Sequence, residues 1–163
     1  MLRHFPPSEK LKPRRGAAAV EMALVLPLFM TLTFVSIEMG HALSVVQKLE
    51  SAIREGGRMA SKDVEPSVRG GLTPNQKVAL DIQNMLKADG FPASNIAVSI
   101  VHADGATAGQ TFDLGLKANQ YKLMRISVTI PYDDVSLLPM SIDSSTILRA
   151  SLVTSRGRSS LNN

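Results

Sequence analysis

Residues 14–40 read RRGAAAVEMALVLPLFMTLTFVSIEMG, and the fold of the chain turns on them. From Ala17 to Ile37 there are 21 residues and one charge, Glu21. At about 1.5 Å per residue, a helix of that length covers roughly 31 Å, close to the hydrocarbon thickness of a bilayer. Pro27 lies inside the run. A soluble helix tends to break at proline, whereas a membrane helix keeps it as a kink. The stretch therefore predicts a transmembrane helix over 17–38.

Charge placement sets the direction of that helix. The 163-residue chain carries a net charge of +4, and all of the excess lies in residues 1–16, where Arg3, Lys10, Lys12, Arg14 and Arg15 face only Glu9. Basic residues just before an apolar run are a topology signal, not a phosphate-binding face. Arg14 and Arg15 thus predict a cytoplasmic N-terminus and an outer C-terminal part. There is no cysteine, which removes disulfides, thiolate metal sites and cysteine nucleophiles from consideration.

Beyond Glu38 the helix is expected to continue as an amphipathic helix to about residue 58, with Leu43, Val46, Leu49 and Ile53 as its apolar stripe. Gly56-Gly57 is expected to weaken or end it, and Glu65-Pro66 with Gly70-Gly71 reads as a loop. A second helix is punctuated by Thr73 as cap, Pro74 at the first turn, Gln76 completing a capping box and Gly90 as the stop. Its buried stripe is Val78, Ile82, Met85 and Leu86. Ile96, Val98 and Ile100 mark one strand; Leu123, Ile126, Val128 and Ile130 mark a second, closed by Pro131. Residues 103–120 and 133–145 read as loops, and Ser145–Ser155 as a third strand with Leu148, Ala150 and Leu152 on one face. The fold class expected is α+β: a long N-terminal transmembrane helix, then a small outer domain with a helix packed on a three- to four-stranded antiparallel sheet. The organisation expected is a basic leader over 1–16, the span over 17–38, an outer domain over 59–155 and a polar tail over 156–163.

Glu21 needs a partner. A carboxylate within an apolar span costs about 2.5–3.5 kcal/mol on insertion scales. It could lie at headgroup level, or act as an ion relay, although no second ionisable group accompanies it. A third reading uses Gly16: cleavage after it releases an ammonium on Ala17, about one helical turn from Glu21. The two charges can then pair, within one subunit or between neighbours, and buried pairs of this kind fix register.

The full pattern resembles the N-terminus of TadE-like proteins, minor pseudopilins of tight-adherence (Flp) type IV pilus systems. The resemblance rests on Arg15-Gly16, Ala17–Ala19, Val20-Glu21, Ala23-Leu24, Pro27 and Ile37-Glu38-Met39-Gly40; Met22 stands where the family usually has an aromatic residue. It implies processing between Gly16 and Ala17 by a prepilin peptidase, and assembly through the N-terminal helix with Glu21 as the pairing charge. It further implies an inner-membrane location with a periplasmic domain. The partners implied are other pilins or pseudopilins, inner-membrane assembly proteins and the lipid bilayer.

Other groups read more plainly. Glu38 stands where the span should meet water, as an interfacial charge or as a partner for a neighbour's basic residue. His4, His41 and His102 lie in separate segments and read as surface histidines, not metal ligands. Asp104-Gly105 and Asp133-Asp134 fit turn chemistry better than a calcium loop. No catalytic constellation, cofactor motif or nucleic-acid signature is legible, so the chain reads as a non-enzyme. The competing reading is a binding module, secreted or membrane-anchored, with an ordinary signal sequence ending near residues 43–45 or a signal anchor. Against it stand the length of the run, Glu21 and Leu43 at the cleavage position.

Overall fold

The computed structural model describes residues 15–62, 71–92, 95–137 and 146–157. Arg14 with the rest of the leader, the Glu65-Pro66 loop, the residues 138–145 and the tail from 158 onward lie outside the described residues. The chain divides between Ile37 and Glu38 into two compact units.

The first unit holds the start of helix α1 (Arg15–Ser61), which carries Pro27 without interruption. Every residue from Gly16 to Ile37 is exposed. An 18-residue window here has a mean hydropathy of 2.0, long and apolar enough to cross a membrane. The hydroxyls within it are satisfied inside the helix. Thr31 Oγ1 donates to the Pro27 carbonyl at 2.9 Å, Thr33 Oγ1 to Phe29 at 2.9 Å and Ser36 Oγ to Leu32 at 2.8 Å. Such back-bonding keeps a polar side chain compatible with an apolar surrounding.

The second unit is the α+β domain. Its helix α2 (Pro74–Ala88) begins with the capping box that Thr73 and Gln76 promise, each side chain meeting the other's backbone N–H. Val78, Ile82 and Leu86 are buried and Met85 partly so. Strands β1 (Ala97–His102), β2 (Leu123–Pro131) and β3 (Ile147–Ser155) form an antiparallel sheet in the order β1-β2-β3. Alternation governs the faces. Met124, Ile126, Val128 and Ile130 are fully buried, with Ile100 and Ala150 beside them. Leu123, read from sequence as part of the apolar face, points the other way with Arg125.

The remainder of α1 closes this core. Val45, Leu49, Ala52, Ile53 and Ala60 are buried, whereas Leu43 is 58% exposed and Val46 half-buried. The expected stripe was therefore rotated: it followed the large residues and overlooked the small ones that let the helix approach. Gly56 and Gly57 do not end α1, which runs on to Ser61. A Cβ on Gly56 would stand 2.4 Å from Ile82 Cδ1, and one on Gly57 2.6 Å from Leu152 Cδ2, so both are points of close approach.

The direction of α1 follows from its contacts. Tyr132, whose N–H bonds the Thr146 carbonyl just ahead of β3, donates its phenol to Glu38. Further along, Ser61 Oγ meets Thr154 Oγ1 at 3.2 Å, and Gly157 N–H bonds the Ser61 carbonyl at 2.9 Å. Residues 38–61 thus run beside β3 in the same direction. At about 1.5 Å per helical and 3.3 Å per extended residue, both paths are about 35 Å long.

The loop after β1 is pinned rather than loose. Gln110–Phe112 bonds the outer side of β1, through His102 N–H to Gln110 and Phe112 N–H to Ile100. Phe112 and Leu114 are fully buried. Asn75 on α2 holds both, donating to the Phe112 carbonyl at 2.6 Å and accepting from Leu114 N–H at 2.9 Å. The buried Arg156 guanidinium donates to the Leu116 carbonyl at 2.5 Å.

Candidate assembly site and the Glu38 clasp

Within the first unit, Gly16, Ala17 and Glu21 all lie on exposed helix, and a Cβ on Gly16 would meet nothing within 4 Å. Arg15 begins the helix. Glu21 is distinguished by elimination. The polar side chains between Ala17 and Ile37 are Glu21, Thr31, Thr33 and Ser36, and the three hydroxyls are paired within the helix. Glu21 has no hydrogen bond or ion pair among the described residues. It sits one turn beyond the Gly16–Ala17 bond, with its carboxylate available to a partner outside this helix.

Glu38 belongs to the second unit and is engaged there. Its Oε1 accepts from the Tyr132 hydroxyl, while Oε2 is buried without a partner among the described residues. Withdrawal from water, then the bond to Glu38 and its charge, push the Tyr132 phenol up to about 12. One turn on, His41 Nε2 lies 2.7 Å from the Val135 carbonyl and must carry the proton, because a carbonyl only accepts. A 3-10 turn at Tyr132–Asp134 places both partners. Sequence reading gave Glu38 an interfacial role or a basic neighbour. Within the domain its hydrogen-bond partner is a phenol 94 residues away, a distance at which no local pattern carries a signal.

The histidines also depart from the surface reading. His102 is 8% exposed and packs on Phe112, ring centroids 4.7 Å apart; His41 is half-buried; His4 lies outside the described residues. Gly105 takes a positive φ of 71°, as turn chemistry asks, while Asp134 accepts at 2.7 Å from Asn95, 39 residues away in the chain. Among the described residues, no three potential ligands gather to hold a metal ion.

These features define a class: a protein with one N-terminal apolar helix suited to a single-pass membrane anchor, followed by a small α+β domain. The family model described as TadE-like protein matches residues 16–58, which include the exposed apolar segment, Glu38 and His41, and the buried Val45, Leu49, Ala52 and Ile53. Over those residues the chain is similar to TadE-like proteins, a likeness that suggests a component associated with Tad pilus systems. No curated protein and no solved structure matches the chain.

Proposed function

We propose that this chain is a pseudopilin-like component of a tight-adherence pilus assembly or secretion apparatus. In this reading residues 17–38 span the inner membrane. Arg14 and Arg15 hold the leader (1–16) in the cytoplasm, and the domain over 59–155 lies in the periplasm. A prepilin peptidase cuts after Gly16. The new ammonium on Ala17 pairs with Glu21, in the same subunit or in a neighbouring pilin or pseudopilin, and so sets the register of helix packing. Glu38 marks the exit from the membrane. The observation that carries the reading is Glu21: of the polar side chains between Ala17 and Ile37, all within the family-matched segment, it is the one without a hydrogen-bond or ion-pair partner among the described residues.

The test is N-terminal sequencing of membrane-extracted protein made with and without a prepilin peptidase. With the peptidase the chain should begin at Ala17; an intact leader would sink the proposal. Glu21→Gln should leave cleavage intact but lower recovery of the chain in complexes with other pilus subunits. The competing signal-sequence reading predicts soluble protein starting near residues 43–45. Such a cut would sever both contacts by which Glu38 and His41 hold the Tyr132–Val135 turn, and this weighs against it.

A further inference from the structure

The charges of the domain are unevenly spread. On the helices, acid and base sit one turn apart and pair: Glu50 with Arg54, Glu55 with Arg58, Lys77 with Asp81. The sheet side differs. Residues 114–132 and 146–157 carry Lys117, Lys122, Arg125, Arg149 and Arg156 and no carboxylate. Arg156 is buried and bonds the Leu116 carbonyl, whereas the other four meet no carboxylate among the described residues. This side is also bare. Both helices join the core through even-numbered strand residues such as Ile100, Ile126 and Ala150, and the odd-numbered ones form an outer face. There Arg125 lies in register between Val101 and Val153, and Leu123 stands opposite Ser155 in the neighbouring row. Leu123 and Val153 are exposed.

Just ahead of Leu123, Tyr121 stands on a pinned loop. Its N–H bonds the Arg156 carbonyl at 3.0 Å, and Lys122 N–H bonds the Asn119 carbonyl at 3.3 Å. The buried Asn119 in turn donates to the Asp113 carbonyl at 3.0 Å. Tyr121 takes a φ of 65°, the one non-glycine residue with positive φ among the described residues, and is 64% exposed. That conformation is costlier for tyrosine than for glycine or asparagine, and an exposed ring offsets none of the cost by burial. Complementarity then selects an occupant. A second copy meeting this face with its own would set arginine against arginine. A carboxylate-bearing surface would instead neutralise bases that have no ion pair within the domain. Arginine and tyrosine are the residue types on which protein interfaces chiefly depend, and a ring on a pinned loop loses little freedom on contact.

We propose that the outer sheet face around Tyr121, Leu123, Arg125 and Val153 docks an acidic surface of a different protein, with Tyr121 as anchor and Arg125 as charge partner. This depends neither on a cut after Gly16 nor on the direction in which the apolar helix crosses a membrane. The test is photo-crosslinking of the full-length chain in the native cell. A benzophenone side chain is placed at Leu123 and, as control, at Asn84 on the exposed side of α2. The expected adduct forms from Leu123 and not from Asn84, and maps to a segment of another protein that carries Asp or Glu. Arg125→Glu should cut its yield about tenfold, and replacing the mapped acid with lysine should restore it. Tyr121→Asn, which suits the left-handed backbone, should also cut the yield while the purified chain in detergent melts no lower than the parent. That pairing separates docking from folding. An adduct to lipid or to a second copy, equal yield from Asn84, a yield that either substitution leaves unchanged, failure of the charge exchange, or no adduct overturns the proposal.

Discussion

Tyr132 and Glu38 form the contact with the clearest measurable signature. The folded phenol keeps its proton until a pH of about 12, whereas an unfolded tyrosine loses it near pH 10. The folded state binds the extra proton in that interval, so stability is unaffected below pH 10 and falls as pH rises through about 12. Tyr132→Phe should abolish this alkaline loss and the late step in phenolate absorbance. At neutral pH it should cost about 1–2 kcal/mol, because Glu38 loses its donor. Urea unfolding of the detergent-solubilised chain at several pH values reads both effects; an unchanged alkaline decline in the variant would rule out the assignment. The two carboxylates differ in how readable they were. Glu21 and Gly16 announce themselves through an anomaly inside one apolar run. The partner of Glu38 arrives from the turn after β2, and His102 packs on Phe112, which folds back from a segment read only as a loop.

At the scale of elements, the same division between local and distant causes holds. The capping box of α2 and the alternation of Ile126, Val128 and Ile130 are properties of short windows, and both appear as read. The glycine pair of α1 was misread because propensity describes an isolated helix, in which glycine costs about 1 kcal/mol relative to alanine. Here packing decides the sign. Gly56→Ala gains that propensity but places a methyl 2.4 Å from Ile82 Cδ1 and 2.5 Å from Cγ1, in a side chain that is itself fully buried. Overpacking of this kind costs about 1–3 kcal/mol. The net expectation is destabilisation by Gly56→Ala, while Gly40→Ala, where a Cβ meets nothing within 4 Å, should be neutral or stabilising. Thermal melts of the two variants side by side give the answer; a stabilised Gly56→Ala would show that α1 stands further from α2 than these distances state.

For the molecule as a whole, the question is where the folding unit starts. Sequence reading assigned the outer domain to residues 59–155 and treated the preceding helix as an amphipathic continuation of the span to about residue 58. The packing gives that helix a larger share. Val45, Leu49 and Ile53 are each at most 2% exposed, and burying side chains of this size contributes about 1.5–3 kcal/mol apiece. Their combined contribution is comparable with the whole stability of a small domain, about 5–15 kcal/mol. Fragments starting at different points should therefore behave differently. One beginning at Glu38 keeps the clasp and the buried stripe, and should unfold cooperatively with the alkaline loss intact. One beginning at Val45 keeps the stripe but loses Glu38 and His41, so it should melt at lower temperature and lack the loss above pH 10. One beginning at Lys62 lacks one wall of its core and should show no cooperative transition by circular dichroism. A cooperative melt from the Lys62 fragment would mean that the sheet and α2 form a core without α1, and that the family-matched residues serve the membrane and its partners alone.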